Sequence, residues 1–318
     1  MPNPESVMRA MQQNEWGGPD RLQLVQIARP TPLPTEVLVR VKAAGINPVD
    51  VYTAQGKAYM RALSLPYIPG WDVSGIVEQV GYGTTRFRVG DEVFGMPWFP
   101  RAANAYAEYL VAPARHLALK PRSLSFEQAA ALPLAGLTAW EMLADIAKVG
   151  PGDRVLINGA AGGVGHLAVQ IAKARGAYVV AVASGAKRRF LEELGADVTI
   201  DYTICAVEDQ IADVDVVIEL VGGEVCLQML RTLRRGGLLI SAQAAWAPQL
   251  RSEAEKLGVR TSWYLVEPNH TGLEALARMV DEGLLKIEVT ASYPLEKAAE
   301  ALGKVAERRS MGKVVLTV

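Results

Sequence analysis

The chain has 318 residues, of which 50% are hydrophobic and 21% are charged, and its formal net charge is −1. This length accommodates about two domains of roughly 150 residues, each with a sizeable core. A nearly neutral chain offers no general field for nucleic acid or for an anionic membrane surface, so composition argues against both partners.

Cysteine usage and the N-terminal sequence bear on the compartment. The chain has only Cys205 and Cys226, too few for a four-cysteine zinc lobe, and they do not form a Cys-x-x-Cys pair. Residues 1–13 lack a basic-then-apolar signal pattern, and no run approaches the roughly 18 apolar residues of a membrane span. We expect a soluble, cytoplasmic protein.

The first part of the chain, up to Ser125, has short β-like runs separated by Gly and Pro. Alternation such as that of Val37, Val39 and Val41 indicates half-buried antiparallel strands. The predicted strands are 36–44, 72–80, 91–94 and 106–111. These runs predict a compact, barrel-like unit.

From Ser125 onward, helical stretches alternate with apolar strands. Ser125, followed by Gln128 three residues later, is typical of a helix N-terminus. Near-continuous apolar strands between helices indicate a parallel sheet covered on both faces, in a doubly wound α/β domain. The predicted strands are 153–158, 178–183, 198–200, 214–220, 237–242 and 259–265, and the first predicted helices between them are 164–174 and 187–194.

The last part of the chain is predicted to return to the first unit. Helices at 270–282 and 295–308 lead to a final strand at 312–318, and residues 313–318 alternate like a closing barrel strand. The predicted domains are therefore 1–125 with 266–318, and 126–265.

A glycine-rich turn at 160–165 lies between a predicted strand and a predicted helix. It matches the dinucleotide fingerprint except that Ala160 replaces the first glycine. Gly162 lets the backbone approach a pyrophosphate, Gly165 lets the helix pack close to the strand, and the helix N-terminus presents N–H donors. The alternative is a turn that only connects the two elements. The complete strand–turn–helix–strand context favours a dinucleotide site.

The segment after the second strand of this domain bears on the choice of coenzyme. NAD enzymes place an acid about 20 residues after the fingerprint to bind the ribose 2′-hydroxyl, and residues 182–188 contain none. Ser184, Lys187 and Arg188 instead offer a hydroxyl and two cations, which suit a 2′-phosphate. Alternatively, both cations are simply exposed at a helix start, where a positive charge is mildly unfavourable. The sequence favours NADPH.

Six segments carry a family resemblance: 43–52, 69–75, 89–93, 133–140, 158–174 and 312–316. In this order they resemble the medium-chain dehydrogenase/reductase superfamily, and within it the zinc-independent NADPH:quinone oxidoreductase branch. The resemblance runs nearly end to end. It implies a GroES-like, β-rich catalytic domain closed by C-terminal strands, beside a Rossmann domain with a doubly wound parallel sheet.

The resemblance also implies that the chain binds no metal. Zinc-dependent members carry Cys where this chain has Asn47, Gly-His-Glu where it has Gly70-Trp71-Asp72, and a third ligand near Leu134. Of these, only Asp72 is a plausible zinc ligand, and one ligand cannot make a site. Without zinc there is no strong Lewis acid to polarise an alcohol, so electrophilic substrates such as quinones and enones are favoured.

The three histidines show no metal spacing. His116 and His270 are far apart in the sequence, and His166 follows the glycine turn. We expect His166 at the surface or on the phosphate side of the turn.

Site roles follow from the resemblance and from the turn. Asn47 and Tyr52 match residues that face the nicotinamide and its ribose, and Thr138 matches a threonine beside the ring. Each has a plainer structural alternative: Asn47 as a turn residue before Pro48, Tyr52 as an aromatic core residue, and Thr138 as a hydroxyl on a helix face. The expected coenzyme-binding residues are Asn47, Thr138, Ala160, Gly162, Gly163, Val164, Gly165, Ser184, Lys187, Arg188, Tyr202, Val221, Gly222, Ala242, Gln243, Tyr264, Leu265 and Lys313.

The working hypothesis is hydride transfer from NADPH to a conjugated enone or a quinone, with protonation by Tyr52 or water. Aromatic residues suggest a small apolar or aromatic electrophile as substrate. Two alternatives stay open: a pathway-specific enoyl reductase or zinc-free dehydrogenase of the same superfamily, and a protein that binds NADPH without turnover. The apolar run 259–265 predicts a sheet edge through which two copies pair as a homodimer.

Overall fold

The computed structural model describes residues 7–242 and 247–318. The strands are β1 (Val7–Gln12), β2 (Gln23–Ala28), β3 (Glu36–Ile46), β4 (Asp72–Val80), β5 (Glu92–Gly95), β6 (Tyr109–Pro113), β7 (Leu117–Leu119), β8 (Arg154–Asn158), β9 (Tyr178–Ala183), β10 (Val198–Asp201), β11 (Val214–Glu219), β12 (Leu233–Ser241), β13 (Arg260–Trp263), β14 (Val289–Pro294) and β15 (Lys313–Thr317). The helices are α1 (Pro48–Ala54), α2 (Phe126–Ala131), α3 (Pro133–Trp140), α4 (Gly165–Ala174), α5 (Arg188–Glu193), α6 (Val225–Arg231), α7 (Leu250–Leu257), α8 (His270–Asp281) and α9 (Ala298–Ala306).

The chain forms two compact units. The first comprises the described residues up to Leu137, together with Glu267–Glu282 and Ile287–Val318. The second comprises Thr138–Val266 and Gly283–Lys286. In the part of the chain that the structure describes, no helix is both long and apolar enough to cross a membrane.

A seven-stranded sheet organises the described part of the first unit. Its order is β14-β15-β3-β4-β5-β7, with β6 also paired to β3. The pairs are antiparallel except β14 with β15. β15 lies antiparallel to β3, with Val314 opposite Ile46, so Lys313–Thr317 is a strand of this sheet. The alternating residues Val37, Val39 and Val41 are buried in the core, as their pattern predicted.

One predicted strand of this unit changes partner partway along. The run at 106–111 enters β6 only at Tyr109. Before it, Met11 N donates to Tyr106 O at 2.9 Å, and Ala107 forms a bridge with Ala10 of β1. The apolar pattern is continuous across this change, so it did not reveal the new partner.

The second unit is a six-stranded sheet of order β10-β9-β8-β11-β12-β13, in which each pair is parallel. The apolar strands pack in one core that includes Leu156, Val180, Val217 and Leu239. Strand order reverses between β8 and β11, and in such sheets a ligand binds in the crevice at the carboxyl ends of these strands. The predicted α/β doubly wound domain is confirmed.

The predicted helix start at Ser125 is also confirmed. Gln128 N donates to Ser125 Oγ, and Ser125 N donates to Gln128 Oε1, both at 3.2 Å. These reciprocal bonds satisfy N–H groups that the first turn of α2 leaves without helical partners.

Candidate functional site

The glycine turn between β8 and α4 is shaped by two glycines with different roles. A β-carbon at Gly165 would lie 2.3 Å from Gly159 O and 2.6 Å from Ala160 O, so only glycine permits this close packing of helix on turn. A β-carbon at Gly162 would meet one described atom, Gly159 O, at the tight distance of 3.3 Å, so this position is less crowded than Gly165. Ala160 N donates to Val182 O at 3.1 Å and ties the turn to β9.

The same turn offers donors to an anion. Within the described residues, the backbone N–H groups of Gly163 and Val164 have no protein acceptor. They lie at the N-terminus of the ten-residue helix α4, where the helix dipole favours negative charge. The absence of a side chain at Gly162 and the free amides beside it fit the pyrophosphate of a dinucleotide.

A buried carboxylate beneath the crevice holds the loop after β11. Glu219 Oε1 accepts from Val221 N at 2.6 Å and from Gly222 N at 3.0 Å, and its Oε2 accepts from Asn158 Nδ2 at 2.8 Å. Burial raises the pKa of Glu219 against the opposing effect of these hydrogen bonds. Sequence reasoning named the loop residues but missed Glu219 and Asn158. A polar residue at the end of an otherwise apolar parallel strand was the available signal.

A cleft of about 470 Å³ lies at the carboxyl ends of β9 and β10. It is lined by Ser184 and Arg188, two of the predicted coenzyme contacts, and also by Asp201 of β10. Arg188 Nε donates to Glu192 Oε1 at 2.7 Å, and Tyr202 is 59% exposed. Sequence reasoning missed Asp201 because it examined only the segment that follows β9.

In the first unit, Asn47 is held by a buried network. Its Nδ2 donates to Asp72 Oδ2 at 2.9 Å, and its Oδ1 accepts from the Lys313 ammonium. Lys313 Nζ also donates to Ile46 O at 3.0 Å and lies 3.7 Å from Asp72 Oδ2. Asp72 Oδ1 accepts from Leu134 N at 2.8 Å. Both the oxygen and the nitrogen of the Asn47 carboxamide are thus held by hydrogen bonds. Lys313 is predicted as a coenzyme contact, and in the structure its ammonium binds oxygen atoms of the protein.

A second buried carboxyl, Asp50, joins this network through α1. Its Oδ2 accepts from Asn47 N at 2.7 Å and from the Tyr106 hydroxyl at 3.2 Å. Burial raises the pKa of Asp50 to about 7, and burial also raises the pKa of Asp72. The pKa of Lys313 is lowered by burial, against the attraction of both carboxylates. The network therefore contains two carboxyls and one amine.

Tyr52 lies half-buried on α1, and its hydroxyl accepts a hydrogen bond from the Arg308 guanidinium. The guanidinium carbon lies 5.8 Å from the centre of the tyrosine ring. Because arginine is only a donor, the phenolic hydrogen stays available to another acceptor. Arg308 was not among the predicted site residues.

The remaining predicted residues belong to the second unit. Thr138 is buried at 4% exposure, whereas Val221 and Leu265 are 39% and 36% exposed. Tyr264 N donates to Ser241 O at 3.0 Å beside Ala242. Gln243 lies outside the described residues.

His166 is not at the surface. It is fully buried, with Nδ1 at 3.0 Å from Gly162 O and its ring centre 6.4 Å from that of Phe190. Because helix α4 packs closely on the turn through Gly165, the following side chain is covered rather than exposed.

The residues at the positions that the resemblance compares with zinc ligands make other contacts in this unit. Trp71 is fully buried and donates its indole N–H to Arg101 O at 2.7 Å. Its ring packs edge-on against Phe99, with centres 5.2 Å apart. Among the described residues, no three His, Cys, Asp or Glu side chains cluster as a metal site.

Comparisons with known proteins match nearly the whole chain. The model of the alcohol dehydrogenase GroES-like domain matches residues 33–122, and that of a zinc-binding dehydrogenase matches residues 194–316. The chain is 34% identical over 313 residues to the quinone oxidoreductase of Mus musculus, and the match covers 93% of each protein.

Two further relatives are informative. The chain is 34% identical over 319 residues to the chloroplastic NADPH-dependent alkenal/one oxidoreductase of Arabidopsis thaliana, covering 97% of this chain and 79% of that protein. The solved structure of the quinone oxidoreductase from Coxiella burnetii superposes with a TM-score of 0.93 at 36% identity, covering 98% of this chain and 99% of that one.

Proposed function

The chain belongs to the medium-chain dehydrogenase/reductase superfamily, in its quinone oxidoreductase branch. From this premise we propose that it is a zinc-independent, NADPH-dependent reductase of quinones or conjugated enones. The observation that carries the proposal is the glycine turn before α4. Its free amides and the absence of a side chain at Gly162 fit a dinucleotide pyrophosphate. The names of the two relatives, a quinone and an alkenal/one oxidoreductase, support the substrate class.

Zinc independence is supported by the donor set in the first unit. Asn47 and Trp71 replace two ligands of the zinc-dependent members, and Lys313 brings an ammonium to the Asn47 carboxamide. An ammonium has no lone pair for a metal and repels one. Asp72, the one carboxylate at these positions, is already engaged with Asn47, Lys313 and Leu134.

When bound, the nicotinamide coenzyme supplies a hydride to an electrophilic carbon of the substrate. The protein binds the pyrophosphate at the turn and holds the loop after β11 through Glu219. In the first unit, Asp72 and Lys313 orient the Asn47 carboxamide, and Arg308 orients the Tyr52 hydroxyl. Tyr52 is then the proposed donor of the proton that completes the reduction.

The function is tested by measuring turnover on quinones, enones, enoyl thioesters and alcohols, with NADPH and with NADH. The proposal expects reduction of quinones or enones, at a rate that treatment with a zinc chelator does not lower. Turnover confined to enoyl thioesters would favour a pathway-specific enoyl reductase. Coenzyme binding without consumption of the coenzyme on any of these electrophiles would favour a non-catalytic protein. Oxidation of alcohols that a zinc chelator abolishes would overturn the proposal.

Tyr52→Phe is expected to slow the reduction of enones about 10²- to 10⁴-fold, the range that a positioned general acid contributes. Coenzyme affinity should change little, because the substitution removes only the hydroxyl. The measurement is single-turnover oxidation of NADPH in H₂O and in D₂O. If the rate and its solvent isotope effect match those of the unchanged protein, Tyr52 is not the proton donor.

We also propose that two copies pair through β13, the terminal strand of the six-stranded sheet. Trp263 on this strand is 51% exposed, and an edge strand that carries an exposed aromatic side chain invites pairing with its own copy. Light scattering at micromolar concentration is expected to give the mass of two chains, and Trp263→Glu to shift it toward one. A monomer before substitution would contradict the pairing.

A further inference from the structure

The cleft at the ends of β9 and β10 contains a carboxylate in the region where the sequence predicts a binding site for a phosphate. A β-carbon on Gly185 would lie only 2.3 Å from Asp201 Oδ2, so the carboxylate of Asp201 lies directly against the turn that follows Ser184. Both Ser184 and Asp201 line the cleft. The acid therefore reaches this turn from the neighbouring strand, across the sheet.

The carboxylate is held in place by hydrogen bonds. Asp201 Oδ1 accepts from Thr203 N at 2.9 Å and from Thr203 Oγ1 at 2.6 Å. These two bonds, with a further one from Gly185 N, lower the pKa of Asp201 and keep it ionised at neutral pH. The side chain thus presents a fixed negative charge to the cleft.

The positive charge of Arg188, beside this carboxylate in the cleft lining, is partly neutralised by another acidic residue. Arg188, which also lines the cleft, forms an i,i+4 ion pair with Glu192 at 2.7 Å. A carboxylate accepts hydrogen bonds from ribose hydroxyls and repels a phosphate, which is why an acid marks enzymes that use NAD. The charges that line this cleft therefore favour a 2′-phosphate less than residues 182–188 alone indicate.

We propose that Asp201 is a specificity-determining residue for the coenzyme: its carboxylate accepts a ribose 2′-hydroxyl and disfavours a 2′-phosphate, so that NADH competes with NADPH at this site. This inference rests on the proposed function, since it concerns the coenzyme of the same reductase. It adds that the preference for NADPH is limited by a residue on β10.

The test is Asp201→Asn, which removes the charge and keeps one acceptor oxygen for Thr203, while its NH₂ group cannot accept from Gly185 N. Dissociation constants for NADPH and NADH are measured by fluorescence titration, and kcat/KM is measured with each coenzyme. The ratio of NADH to NADPH dissociation constants is expected to rise on the order of tenfold, the size of one charge–charge contact at a protein surface. The rise should come from tighter NADPH binding and should shrink at high salt.

A matched control is Asp213→Asn, which removes an exposed aspartate of the same unit that is not among the residues lining the cleft. Asp201→Ser is a second variant, and thermal unfolding of each confirms that it folds. A ratio in both Asp201 variants within twofold of the Asp213→Asn value would overturn the inference. Failure of the unchanged protein to reduce any electrophile with either coenzyme would instead overturn the proposed function, and the binding ratio would still report on Asp201.

Discussion

Lys313→Met is expected to lower the free energy of unfolding by about 3–5 kcal/mol, the cost of removing one partner from a buried ion pair. Lys313 is 3% exposed, and its ammonium is bound to Ile46 O, to Asn47 Oδ1 and, at 3.7 Å, to Asp72. Methionine has a similar length but no charge, so the substitution leaves two buried carboxyls without their cation. Denaturant unfolding at pH 8 measures the loss.

The pH dependence of this variant follows from the carboxyl groups. The pKa values of Asp50 and Asp72 are raised in the folded protein, that of Asp50 to about 7 from an ordinary value near 3.8. A raised carboxyl pKa contributes stability that is fully present below the unfolded value and is lost as pH rises through the folded value. Stability should therefore fall as pH rises from about 4 to 7, and more steeply in Lys313→Met, because the carboxyls lose the ammonium that favours their ionised form.

Two further variants distinguish loss of charge from loss of packing. Adding Asp72→Asn to Lys313→Met should recover part of the stability at pH 8, because it removes an uncompensated charge. Lys304→Met removes an exposed lysine of α9, whose ion pair with Glu307 is worth less than about 1 kcal/mol. Equal losses in Lys304→Met and Lys313→Met would refute the buried network as the source of the effect.

Gly165→Ala is expected both to destabilise the second unit by about 1–3 kcal/mol and to abolish tight binding of the coenzyme. The new β-carbon would lie 2.3 Å from Gly159 O and 2.6 Å from Ala160 O, and both are backbone atoms. The turn must therefore move away from the start of α4, and the amides of Gly163 and Val164 move with it. Thermal unfolding and fluorescence titration with NADPH measure the two effects.

Gly162→Ala distinguishes the loss of coenzyme binding from the loss of stability. Its β-carbon meets only Gly159 O, at 3.3 Å, so stability should change by less than about 1 kcal/mol while a methyl group occupies the space proposed for the pyrophosphate. Gly303→Ala in α9 is the control: nothing lies within 4 Å of that position, and alanine should stabilise the helix by roughly 0.5–1 kcal/mol. If both Gly162→Ala and Gly165→Ala bind NADPH with normal affinity, the turn is not the coenzyme site.

Sequence reasoning was accurate where the signal is local. The strand at 178–183, the cap at Ser125 and the glycine turn each depend on residues within a few positions of one another, and all are present in the structure. The parallel sheet followed from apolar strands between helices, since each helix returns the chain to the same edge.

Side-chain networks were predicted less well because their members are distant in sequence. Lys313 contacts Asn47 only because β15 pairs with β3. The two residues are 266 positions apart in the sequence, so no local motif connects them. Asp201 reaches the turn at Ser184 because β10 lies beside β9 in parallel register. Strand order and register decide such contacts, and neither is encoded in a local pattern.

The antiparallel pairing of β15 with β3 has a consequence for the order of events during synthesis. Residues 138–266 have left the ribosome well before the C-terminus, so the doubly wound unit can fold while the rest of the chain is still being translated. The first unit must wait for Lys313–Thr317 both to complete its described sheet and to receive the only amine in its buried network of described side chains. Until Lys313 has been made, Asp50 and Asp72 have no ammonium to balance them, so the buried network of the first unit forms later than the doubly wound unit is translated.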